Sequence, residues 1–135
     1  MFHGVVITRS DDEWRNLLSP EQYHVLREEG TERAYSGELN KEKRTGTYHC
    51  AACRLKLFDS ETKFESNTGW PSFYQPINAK NVVDKDDTAY GITRIEVECA
   101  RCGSHLGHVF DDGPKPTGLR YCMNSLALQF EPATN

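Results

Sequence analysis

Up to Gly30 the apolar positions recur at helical spacing. Beyond it they fall in short runs rich in β-branched and aromatic residues. Ser10-Asp11-Asp12-Glu13 is a capping-box pattern, and Trp14, Leu17 and Leu18 follow it on helical spacing. Ser19-Pro20-Glu21-Gln22 is a second capping box, with Pro at the first helical position, where an N–H would be unsatisfied anyway. Tyr23 and Leu26 are among the apolar residues of that helix, and Gly30 supplies a C′ stop.

The later runs predict strands over 46–50, 55–58, 93–99, 106–110, 119–124 and 126–130. The clearest alternation sets Ile95, Val97 and Cys99 against Arg94, Glu96 and Glu98. Apart from a pair of C-x-x-C knuckles there is no internal repeat, and no low-complexity linker divides the chain. The expected architecture is mainly β, one domain over 1–135, with a helical arm at 1–30 and a mostly antiparallel β domain at 31–135.

Composition narrows the function. A chain of 135 residues with 37% apolar content builds a modest core, for which a structural metal would compensate. The net charge of −4 argues against a general nucleic-acid binder, which needs clustered Lys and Arg. The one basic run, Lys41 to Arg44, is interrupted by Glu42 and reads as a solvated loop. Residues 1–10 lack the charged and apolar regions of a signal peptide, and no apolar stretch has membrane-spanning length. Five cysteines, an odd number arranged around C-x-x-C pairs, suit a reducing compartment, so the cytoplasm is the expected location.

The cysteine spacing carries the chemistry. Cys50 with Cys53, and Cys99 with Cys102, supply four thiolates with the spacing of a closed tetrahedral zinc site. A redox C-x-x-C would need a βαβ context, which neither pair has. Cys122 is left over. On a strand, Arg120, Cys122 and Asn124 share one face, while Leu119, Tyr121 and Met123 face the core. A guanidinium beside a thiol lowers its pKa. His105 and His108, an odd number of residues apart, fall on opposite faces of a regular strand unless Gly107 carries a bulge that brings them together. Trp70, in the stiff Gly69-Trp70-Pro71 loop, offers an apolar wall for a small ligand group. The plainer alternatives are a buried small side chain for Cys122, a surface ion pair for Arg120, structural imidazoles and a core-packing indole.

The matching segments are Gly46-Thr-Tyr-His-Cys50 with Ala51-Ala-Cys53, Gly69-Trp-Pro-Ser-Phe73, Glu98 through Phe110, Asp112-Gly-Pro114 and Arg120-Tyr-Cys-Met-Asn-Ser125. On these the chain resembles the type B methionine sulfoxide reductases, which reduce the R epimer of methionine sulfoxide in proteins. The resemblance implies a β-tent-like fold of two antiparallel sheets with a structural zinc on Cys50, Cys53, Cys99 and Cys102. It implies Cys122 as nucleophile, His105, His108, Asn124 and Arg120 around it, and Trp70 against the substrate S-methyl group. The resemblance also implies Phe110 beside Trp70 in substrate binding. It further implies oxidised proteins as substrates, thioredoxin or another thiol as reductant, and no nucleic-acid or membrane partner. A monomer is expected.

One departure matters. Many members carry a resolving cysteine just before the Gly-Trp-Pro loop; here Thr68 holds that place and no sixth cysteine replaces it. A one-cysteine enzyme is therefore expected, its Cys122 sulfenic acid reduced directly by thioredoxin or a small thiol. Which imidazole protonates the departing oxygen stays open. A zinc-ribbon binding module leaves the Arg-x-Cys-x-Asn face and the histidines unexplained. A cysteine hydrolase would require an oxyanion hole.

Overall fold

Both helices start where their capping boxes place them. The computed structural model describes residues 2, 4–88, 91 and 93–133. In α1 (Asp11–Leu17) the Ser10 hydroxyl accepts from the Glu13 N–H at 3.2 Å while Glu13 Oε1 accepts from the Ser10 N–H at 3.0 Å. Ser19 and Gln22 repeat the exchange at the start of α2 (Pro20–Arg27). Trp14, Tyr23, Val25 and Leu26 are buried, but Leu17 is exposed. The stop after α2 differs from the expected one. Glu29, not Gly30, takes the left-handed conformation, at φ 58°. A Cβ at Gly30 would sit 2.3 Å from the exposed His24 ring, which would have to turn away, and 2.9 Å from the His24 carbonyl oxygen.

The strands are β1 (Gly46–Cys50), β2 (Lys56–Asp59), β3 (Lys63–Phe64), β4 (Ser72–Phe73), β5 (Val82–Asp87), β6 (Arg94–Cys99), β7 (His105–Phe110), β8 (Arg120–Met123) and β9 (Leu128–Pro132). They form two antiparallel sheets, one of order β2-β1-β9 and one of order β3-β4-β8-β7-β6-β5. Aromatic rings fill the space between them. Tyr48 and Phe58 of the smaller sheet meet Phe73 and Tyr121 of the larger, with Phe58 stacked on Phe73 at 4.4 Å and Tyr48 edge-on to it at 5.0 Å. Such pairs contribute about 0.5–1.5 kcal/mol each beyond their area burial.

Two features of the larger sheet shape the site. Opposite the step from Val97 to Glu98, β7 runs from Gly107 to His105, so Leu106 is an extra residue and the strand bulges. The bulge leaves the alternation of β6 intact, but burial there does not follow polarity: Ile95 is 41% exposed and Glu96 is buried. The bulge brings the His105 and His108 rings together, 5.4 Å between centroids. The second feature is Gly107, where a Cβ would lie 2.1 Å from the Cys122 carbonyl oxygen. Gly107→Ala is expected to force β8 away from β7 and to cost about 1–3 kcal/mol or more, as overpacking against backbone does. Urea unfolding measures that loss.

Candidate active site

Cross-strand register builds the site. Ser72 of β4 pairs with Cys122 of β8, Cys122 with His108 of β7, and His108 with Glu96 of β6. Directly opposed residues share a sheet face, so these four side chains form one row. Above the row lies a cleft of about 270 Å³. Cys122, His108, Trp70, Phe110, Arg120 and Asn124 line it, as do Thr68 and Thr31. His105 does not reach the lining; it lies behind His108, with its side chain 4% exposed.

Each wall is fixed from behind. The Trp70 indole N–H donates to the Glu32 carbonyl at 3.0 Å. Arg120 grips Asp112 through two hydrogen bonds, 2.8 and 3.1 Å, with its guanidinium 4.3 Å from the Phe110 ring centroid. Asn124 holds the scaffold: its amide donates to the Leu106 carbonyl at 3.1 Å and its oxygen accepts from the Glu32 N–H at 3.0 Å. Glu32, which the sequence reading passed over, thus orients both Trp70 and Asn124 through its backbone.

The electrostatics differ from the expectation at Cys122. Burial dominates and pushes the thiol above its ordinary value. Hydrogen bonding to Thr68 and the Arg120 charge act in the opposite direction without overcoming it. Arg120 keeps its charge, held more firmly by its pairing with Asp112.

The two imidazoles are not equivalent. His108 Nε2 contacts Asp87 Oδ2 at 2.9 Å and its ring faces the cleft. His105 Nδ1 contacts Glu96 Oε2 at 2.7 Å, and its buried Nε2 has no hydrogen-bond partner among the described residues. Burial, with the nearby His108, holds the His105 pKa down to about 4. Burial likewise pushes Glu96 up to about 7, with Glu98 and Glu29 adding to the rise. Near neutrality His105 is a neutral ring.

The four remaining cysteines come together from both sheets. Cys50 ends β1 and Cys99 ends β6. The two knuckles share one geometry. The residue after the second cysteine, Arg54 or Gly103, is left-handed (φ 72° and 73°) and donates its N–H to the first cysteine's carbonyl at 2.8 Å. The first cysteine's N–H donates onward to Leu55 or Ser104. All four sulfurs lie within 4.8 Å of one another, with Cys50–Cys102 at 3.7 Å and Cys53–Cys99 at 3.5 Å. A tetrahedral ion with bonds of about 2.3 Å sets its sulfurs about 3.8 Å apart, so the donor set fits a metal ion. Arg27 of α2 donates to the Cys102 carbonyl at 2.8 Å, and Arg101 to the Cys53 carbonyl at 2.7 Å.

A model of the SelR domain matches residues 18–132. The chain belongs to the SelR family. Relatives named peptide methionine sulfoxide reductase MsrB are 60% identical in Methanosarcina barkeri, over 93% of this chain and 88% of theirs. One in Pseudomonas putida is 58% identical, over 93% and 95%. One in Leptospira interrogans is 56% identical, also over 93% and 95%. The matched SelR span takes in the cleft, both knuckles and all nine described strands, and leaves out α1. No helix among the described residues is long and apolar enough to cross a membrane.

Besides Glu32, further parts of the site escaped the sequence reading. Asp87 lies on β5, a run with four charged positions that gave no strand signal. Glu96 looked solvent-facing by alternation. Thr68 was singled out only as standing in a resolving cysteine's place; its grouping with the hydroxyls of Ser66 and Ser72 carries no motif, though Ser72 stands inside the Gly-Trp-Pro-Ser-Phe segment.

Proposed function

We propose that this chain reduces the R epimer of peptide-bound methionine sulfoxide to methionine, with Cys122 as nucleophile. The observation that carries the reading is the cleft itself: the thiol outside the metal cluster opens into a small cavity walled by an indole, a phenyl ring and an imidazole. The sulfoxide S-methyl group packs on Trp70, with Phe110 beside it. The Cys122 thiolate attacks the sulfoxide sulfur. A proton reaches the oxygen from His108, the imidazole that lines the cleft, while neutral His105 and Glu96 sit behind it. The oxygen passes to the cysteine sulfur, methionine leaves as a thioether, and Cys122 becomes a sulfenic acid. Two thiols from thioredoxin, or two equivalents of a small thiol, then release water, form their own disulfide and restore Cys122.

The other four cysteines hold a structural zinc. With four protein ligands it has no open position for water, so it supports the fold and takes no part in the reduction. Cys122 therefore works without an internal resolving thiol. Oxidised proteins are the substrates, and the enzyme acts as a cytoplasmic monomer.

Turnover of the separated R and S epimers, with thioredoxin as electron source, tests the reading. Consumption of the R epimer alone supports it; equal use of both, or of neither, removes it. Dimedone added after one equivalent of substrate should label Cys122, and a disulfide from Cys122 to a cluster cysteine would reject the one-cysteine cycle.

A further inference from the structure

A chain of hydroxyls runs from the sulfur of Cys122 into the protein. Thr68 Oγ1 lies 3.9 Å from Cys122 Sγ, within reach of a sulfur hydrogen bond. Ser66 Oγ lies 2.8 Å from Thr68 Oγ1 and 2.7 Å from Ser72 Oγ. The Ser72 hydroxyl donates to the Trp70 carbonyl at 3.2 Å. Ser72 is buried, and it faces Cys122 across β4 and β8.

Counting hydrogens fixes the direction of the chain. With Cys122 as a thiol there are four hydrogens, one each on Cys122, Thr68, Ser66 and Ser72, for four contacts. All are satisfied when the thiol donates to Thr68, Thr68 to Ser66, Ser66 to Ser72 and Ser72 to the Trp70 carbonyl. A thiolate has no hydrogen to give. The chain remains connected if each hydroxyl rotates: Ser72 donates to Ser66, Ser66 to Thr68, and Thr68 to the sulfur. The contact given up is the one to the Trp70 carbonyl, the longest of the three between oxygens. The Trp70 N–H, 3.4 Å from Thr68 Oγ1, points at that oxygen and favours its use as a donor toward sulfur.

We propose that Thr68, Ser66 and Ser72 form a reversible hydroxyl relay that accepts from the Cys122 thiol and, once it ionises, turns to donate to the thiolate. The proposal rests on Cys122 being the nucleophile. No proton travels along the relay: the thiol proton leaves through the open side of the cleft, and the hydroxyls only rotate. The relay compensates in part for the burial that holds the thiol up: hydrogen bonding from Thr68 opposes that burial, as do Arg120 and Ser72. At the position from which a resolving cysteine would attack, this chain keeps a hydrogen-bond donor.

The test follows alkylation of Cys122 by iodoacetamide against pH, read on the peptide that contains it, in the metal-bound protein. Thr68→Val should move the profile upward and slow alkylation at pH 7 about tenfold, as losing a hydrogen bond to a charged group does. Thr68→Ser should restore the parent profile. Ser66→Ala, which does not touch the sulfur, should move it upward by less, and it decides the matter if Thr68→Val does not fold. Parent-like profiles in the folded variants overturn the relay and leave the nucleophile in place. Sulfoxide reduction surviving Cys122→Ser overturns the nucleophile assignment instead, whatever the profiles show.

Discussion

Cys122→Ser is expected to lower reduction of R-sulfoxide peptides by at least about 10³-fold, the order seen when a covalent nucleophile is removed. The loss should fall on kcat, because Trp70 and Phe110 still receive the S-methyl group. Serine keeps a similar volume in a half-buried position, so thermal stability and metal content should stay at parent values. That pattern separates lost chemistry from lost structure. A hydroxyl cannot form the sulfenic acid, and no other cysteine faces the cleft among the described residues. Coupled-assay turnover within tenfold of the parent would falsify the assignment.

Removing the metal is expected to unfold much of the chain. Zinc bound to four thiolates contributes on the order of 10 kcal/mol to the folding of small domains, comparable to the entire stability of most. Here the cluster joins the end of β1 in one sheet to the end of β6 in the other, and α2 is tied to it through Arg27. Without a cation the sulfurs must share protons: mutual hydrogen bonding holds Cys50 and Cys99 above the ordinary thiol value and Cys53 below it. Metal analysis should find close to one zinc per chain, and Cys99→Ser should melt far below the parent. A fully folded preparation with no bound metal would overturn the structural role.

Local signals were legible in the sequence where the deciding interactions are local. Both capping boxes close within four residues, and the predicted helix starts match. β1 matches at both ends because Gly46 and the first knuckle bound it. Non-local effects were hidden. β5 is charged along most of its length because it is an edge strand, and its pairing with β6 is what makes it a strand. β9 begins at Leu128, not at 126, because a tight 3₁₀ turn takes Ser125–Ala127. The same held in the cleft. The shared face of Arg120 and Cys122 followed from strand period alone. The burial that outweighs Arg120 at the thiol, and the burial of Glu96 on the face it shares with His108, depend on segments far away in the chain.

The row from Ser72 through Cys122 and His108 to Glu96 makes strand pairing a reading frame for the chemistry. Sliding β8 by one position would set Tyr121 or Met123 before the imidazole and turn the sulfur toward the aromatic layer between the sheets. Nothing in the thiol itself guards against that error. The safeguard lies in its neighbours: the same slip would turn the buried Tyr121 and Met123 out of the core and Arg120 into it.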